Sequence, residues 1–140
     1  MTRKKIGVAA GVLVLAGMCI PARRTNPPVT ADFDGPAQVK AVLRRSCYDC
    51  HSNETKWPWY SKFGPGSWLT VYDVNEGREH LNFSEWGTMT PMGQAHAKEE
   101  AGEEIAEGEM PLGPYVWLHK DARLSDEDKA VLQAWVQSEK

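Results

Sequence analysis

An all-α fold is what this sequence predicts, and three observations carry the expectation. Apolar positions in the first folded stretch recur at helical spacing, the last stretch opens with a side chain able to cap a helix, and sustained strand alternation is missing throughout. The 140 residues leave room for one domain and a tail, because domains occupy about 50 to 250 residues. The helices are expected to be short and joined by long loops.

The elements follow in chain order. A domain starting near Asp34 has Pro36 where the first helical residue should stand, a position that tolerates the missing N–H. Val39, Val42, Leu43, Ser46, Cys47 and Cys50 then share one helix face, which places both cysteines on the buried stripe. Residues 52–67, SNETKWPWYSKFGPGS, read as an ordered loop packed by Trp57, Trp59 and Tyr60. From Ser67 to about Glu76, Trp68, Val71, Tyr72 and Asn75 suggest a short helix that Gly77 would end. Gln94 to Glu107 is rich in Ala and Glu and precedes Gly108, a third helix. In the last, Ser125 caps, Asp128 stands in for the Glu of a capping box, and Val131, Leu132, Trp135 and Val136 form the apolar face.

Ahead of the domain, residues 1–24 carry five basic side chains and no acid, and Ile6 to Ile20 is an uncharged, mostly apolar run of 15 residues. As a helix the run would reach about 22 Å, short of the ~30 Å hydrocarbon core, so it suits an export signal or an N-terminal anchor. Either places the domain outside the cytoplasm: periplasmic, or anchored in an inner membrane facing the periplasm through residues 6–20 if that segment is retained. Residues 25–35, TNPPVTADFDG, read as a linker, leaving 36–140 as the domain. Beyond position 24 there are 11 basic and 19 acidic residues. That surface repels phosphate backbones, which excludes nucleic acid as a partner and favours basic proteins.

Chemistry enters at Cys47-Tyr48-Asp49-Cys50-His51. Two thiols three residues apart, followed directly by an imidazole, are what covalent attachment of a haem requires: the thiols add across two vinyl groups on one porphyrin edge while the histidine binds iron from one face. A redox thiol pair is the rival reading, but that chemistry expects a strand before the motif. Zinc would need two more ligands at tight spacing, and His80, His96 and His119 stand singly. One haem c is therefore the expected cofactor, with His51 as proximal ligand and helices condensed around it; the six tryptophans would pack around it or, for most of them, simply in the protein core.

On the far side of the iron, Met110 is the best candidate, in the turn-rich Gly108-Glu109-Met110-Pro111, 59 residues past His51. His119 is its rival, Met89 and Met92 are weaker ones, and a vacant position is the remaining alternative. Arg44, Arg45, Trp57, Trp59 and Tyr60 are candidates for the haem pocket or for propionate contacts. Six acids between Glu99 and Glu109 read as a solvated helix face that could also steer a basic redox partner.

CYDCH near the first helix, Met110-Pro111 in a late loop and Leu124-Ser125-Asp126-Glu127-Asp128 opening a helix with Trp135 resemble class I cytochrome c domains. More narrowly, CYDCHSNETKWPWYSKFGPGSW, EGREHLNFSEW and GEMPLGPYVWLHKDARLSDEDKAVLQAW are similar to the small bacterial haem-binding domain family, over about residues 36–137. The resemblance implies Cys47 and Cys50 as thioether anchors, His51 as proximal and Met110 as distal ligand. The function expected is a one-electron carrier or relay working with redox partner proteins. A haem-based sensor or small peroxidase-like enzyme with a labile or open distal site is the alternative.

Overall fold

The computed structural model describes residues 11–12, 15–17 and 19–138. Among them every regular element is helical and no strand occurs, so the all-α expectation holds. From residue 37 on, six α-helices follow in order: α1 Ala37–Ser46, α2 Tyr48–His51, α3 Gly64–His80, α4 Pro91–Glu107, α5 Gly113–Leu118 and α6 Asp126–Gln137. Tight 3-10 turns at Trp59–Lys62, Phe83–Thr88 and Lys120–Ala122 fill the connections. No helix among the described residues is long and apolar enough to cross a membrane. Of the apolar run at 6–20, residues 6–10, 13, 14 and 18 lie outside the described residues.

Helix ends follow side-chain chemistry. Pro36, expected as the first residue of α1, instead stands just before it with no side-chain cap; Thr90 accepts a hydrogen bond from Gly93 N–H with Pro91 following, and Gly108 closes α4 at φ 81°, a left-handed conformation that suits glycine. At α6, Ser125 and Asp128 form a reciprocal capping box, the arrangement their spacing predicts.

Aromatic side chains gather at the centre of the core. Phe33 lies edge-on to Trp86, Trp135 and Phe83 at centroid distances of 5.4, 5.5 and 5.9 Å. Val39, Val42 and Leu43 of α1 and Leu132 of α6 surround that aromatic group. Here α6 packs against both α1 and α4. At Gly102 an added Cβ would come within 3.1 Å of Val136, which is how closely α4 and α6 approach. Trp86 and Trp135 therefore belong to a protein core, as expected of most of the tryptophans, whereas Trp59 and Trp117 are exposed. Aromatic groups contributed from 33, 83, 86 and 135 already bury one another.

Three other expectations change. The helix expected from Ser67 to Glu76 runs from Gly64 to His80, and Gly77 lies buried inside it instead of ending it. Its buried positions are Gly64, Ser67, Val74 and Gly77, while Trp68 and Tyr72 are exposed. Small residues permit a close approach to α2, so the large aromatics turn the other way. Trp59 does not pack its loop, being 72 % exposed. Residues 25–35 lie against the domain: Thr30 and Ala31 N–H donate to the Ser84 carbonyl at 3.1 and 3.0 Å, and Phe33 sits at the centre of the core.

Candidate haem-attachment site

The motif at 47–51 folds as one turn of helix set at an angle to α1. Cys47 N–H still donates to Leu43 of α1 at 2.8 Å, but the Cys47 backbone (φ −123°) breaks the helix there. The Cys47 carbonyl then accepts from Cys50 N–H at 3.1 Å and His51 N–H at 2.9 Å. This folding gathers both thiols and the imidazole on a single turn. Tyr48 fixes the turn, stacking on Phe83 at 5.4 Å and donating its hydroxyl to Asp32 at 2.7 Å. Behind it, Ser52 donates to the Tyr48 carbonyl at 2.7 Å. From the other side α3 closes in, and a Cβ added to Gly77 would meet the Cys50 carbonyl oxygen at 2.9 Å.

Both thiols are free and half-buried. Burial pushes the Cys47 thiol up to about 12, helped by the neighbouring Cys50. Cys50 is likewise raised to about 12, by burial and then by the charges of Asp73 and Asp49. Both thiols are thus held protonated at neutral pH. Among the described residues no group of three or more His, Cys, Asp or Glu is arranged to hold a metal ion.

His51 carries the clearest orientation. Its Nδ1 lies 3.1 Å from the Leu81 carbonyl oxygen. A carbonyl can only accept, so Nδ1 must carry the proton and Nε2 presents a lone pair. Burial lowers the His51 pKa and so favours the neutral ring. A neutral imidazole whose Nδ1 is held by a backbone carbonyl is oriented as a metal-ligating histidine is.

Around this turn the structure adds residues that sequence reasoning missed. Arg78 donates from Nε to the Ser52 carbonyl at 2.7 Å and from Nη1 to the Thr25 carbonyl at 2.9 Å. Its Nη2 reaches Asn26 Oδ1 at 3.0 Å and Thr55 Oγ1 at 2.8 Å, binding the segment before α1 to the loop after the motif. Tyr115 of α5 donates its hydroxyl to Asp49 Oδ2 at 2.7 Å. Pro114 at the start of α5 was the available signal for that helix; the Leu81 contact uses a backbone carbonyl and leaves no mark in the sequence.

The remaining candidates are distributed unevenly. Arg44 pairs with Asp32 at 2.9 Å and Glu54 at 3.0 Å and lies over the Tyr48 ring, so its partners are carboxylates of this chain. Arg45 pairs with Asp128 at 2.6 Å. Trp57 Nε1 donates to Asn26 at 3.1 Å. Tyr60 approaches His119, with ring centroids 6.0 Å apart. Met110 lines a cavity of about 720 Å³ with Ile105, Pro111, Val116, Trp117 and Leu124, and neither the two thiols nor His51 is among its lining residues. His119 stacks on Tyr115 at 4.2 Å and lines a cavity of about 420 Å³ shared with Asp49 and Tyr115. His80 and His96 are exposed, the latter beside Glu100.

Two unpaired thiols and an imidazole oriented through Nδ1, gathered on one turn, suit the attachment of a haem. Residues 12–138 match the haem-binding domain family. The chain belongs to that family. No curated protein and no solved structure matches the chain. In this haem-binding domain, Cys47, Cys50 and His51 are the residues whose geometry suits the cofactor, and the family match reaches back across the segment that Arg78 ties down.

Proposed function

We propose that this haem-binding domain is a monohaem c-type cytochrome that carries or relays single electrons outside the cytoplasm. The observation that carries the reading is the His51 Nδ1 contact to Leu81, which leaves Nε2 as a neutral ligand on the same turn as two unpaired thiols. When bound, a haem supplies reversible one-electron iron chemistry. Cys47 and Cys50 hold it by thioether bonds, Leu81 fixes the ring plane of His51, and Tyr48 with Gly77 keeps the turn from shifting.

Met110 closes the sixth position in this reading. Its amide donates to the Glu104 carbonyl at 3.2 Å, which steadies the loop, and methionine ligation raises the potential relative to a second imidazole. His119 is a second reading, favoured by the cavity it shares with Asp49 of the motif. Absorption spectroscopy of the loaded protein separates them. Methionine ligation gives a near-infrared methionine-to-ferric charge-transfer band that Met110→Ala removes. Histidine ligation gives no such band, and His119→Ala then opens the site to CO. A high-spin spectrum with rapid CO binding in the unmodified protein overturns the carrier and favours a sensor or a peroxidase-like enzyme. The exposed glutamates of α4 suit a basic redox partner protein.

A further inference from the structure

Besides burial, two carboxylates act on the Cys50 thiol, Asp73 more than Asp49. Asp49 is engaged, accepting from Tyr115 at 2.7 Å and from Lys56 N–H at 3.0 Å. Asp73 is half-buried, and among the described residues no hydrogen-bond donor or cation pairs with its carboxylate. The Arg78 guanidinium, whose charge also acts on Cys50, directs its donors to Ser52, Thr25, Asn26 and Thr55 instead. Burial alone raises the Asp73 pKa from the ordinary 3.8, and at neutral pH the group is charged.

Helix register explains where it stands. At about 100° per residue, Gly66, Asp73 and Gly77 fall within about 40° of one another on α3. A Cβ added at Gly77 would meet the Cys50 carbonyl oxygen at 2.9 Å and Cys50 Cβ at 3.1 Å, and one at Gly66 would meet the Tyr60 carbonyl oxygen at 2.8 Å. The attachment turn and the turn at Trp59–Lys62 therefore rest on one face of α3, with Asp73 on that face between them. Tyr60 borders the same group, its hydroxyl raised by burial and then by Cys50, Asp49 and Asp73. The other acids of this half of α3 face elsewhere, Glu76 about 100° and Glu79 about 160° from Gly77. His80, exposed, acts on His51.

We propose that Asp73 sets the reduction potential of the haem, its negative charge favouring the ferric form. The inference rests on attachment of the haem through Cys50, as proposed above. Oxidation leaves the iron with one more positive charge, and a carboxylate beside the point of attachment stabilises that state. Half-burial strengthens the effect by removing part of the screening that water gives. A half-buried carboxylate without a donor contributes no bond to the fold, so its removal should not loosen the chain.

Spectroelectrochemical titration of the full, haem-loaded chain at neutral pH tests this, with the mass of each protein establishing that haem is attached. Asp73→Asn should raise the potential, so that at the poise leaving the unmodified chain half reduced the ratio of ferrous to ferric haem rises several-fold. Its axial-ligand absorption bands should be unchanged and its resistance to denaturant equal or greater. Asp73→Glu should restore most of the lower potential, and Glu79→Gln, at an exposed position on the far side of α3, should change it little. Loaded chains of equal potential, a shift as large in Glu79→Gln, or a shift that comes with altered ligand bands would each overturn the role of Asp73. An unmodified chain whose mass shows no haem would overturn the attachment reading, and the proposal with it.

Discussion

Tyr115 donates a 2.7 Å hydrogen bond to Asp49, linking α5 to the middle of the attachment turn across 66 residues of chain. Asp49 holds a second donor, Lys56 N–H at 3.0 Å, so one carboxylate joins the motif, the loop after it and the segment between Met110 and His119. Both candidate sixth ligands flank the helix that this bond positions.

Tyr115→Phe keeps the ring and its stacking on His119 while deleting the bond. Chemical denaturation should show a loss of about 1 to 2 kcal/mol. If the bond positions the sixth ligand, the ligand's absorption signature should also disappear at a lower temperature than in the unmodified protein. An unchanged melting of that signature would show that α5 is held by other contacts.

Gly77→Ala places a methyl group against the Cys50 carbonyl. The gain in helix propensity of about 1 kcal/mol works against an overpacking cost of about 1 to 3 kcal/mol, because the neighbouring atoms are backbone and cannot swing aside. Lower stability and a reduced yield of loaded protein are expected. Gly113→Ala, with nothing within 4 Å of the new atom, is the control and should be loaded normally.

Much of this architecture was legible in the sequence where a local signal exists. The capping box at Ser125, the stop at Gly108 and the apolar stripe of α1 are each written within a few residues, and the structure reproduces them. The face and length of α3 were not legible. Its buried side is made of Gly64, Ser67, Val74 and Gly77, and hydrophobicity cannot distinguish small residues selected for close approach from a helix ending at glycine. Likewise Phe33 looked like part of a linker because its partners, Phe83, Trp86 and Trp135, are distant in the chain. At the site, the spacing of Cys47, Cys50 and His51 announced itself, but the supporting partners Leu81, Arg78 and Tyr115 arise only from folding.

Acid should expose two carboxylates. Burial would raise Asp32, yet hydrogen bonds from Lys40, Tyr48 and Arg44 outweigh it and hold it at about 2, against an ordinary 3.8. Asp128 is lowered to about 2 by Arg45 and by Ser125. Carboxyls depressed on folding stabilise fully above their ordinary value and lose that contribution as pH falls through the folded one. Unfolding followed from about pH 5 down to pH 2 should therefore be steeper in the unmodified chain than in Asp32→Asn or Asp128→Asn. Parallel curves would contradict these assignments.

Arg78→Lys keeps the charge but cannot reproduce a fork reaching Ser52, Thr25, Asn26 and Thr55 together. A loss of about 3 kcal/mol is expected, with amide exchange rising first in residues 25–35 and 52–55. Uniform loosening across α4 and α6 would show instead that Arg78 acts on the whole core.

Mass spectrometry of the intact protein, matured in a host able to attach haem and then denatured in acid, tests the central claim most directly. The account predicts a mass increased by one haem, retained colour after denaturation, and loss of both in a Cys47→Ala, Cys50→Ala chain. Unmodified mass with the colour released on denaturation would contradict covalent attachment at Cys47 and Cys50.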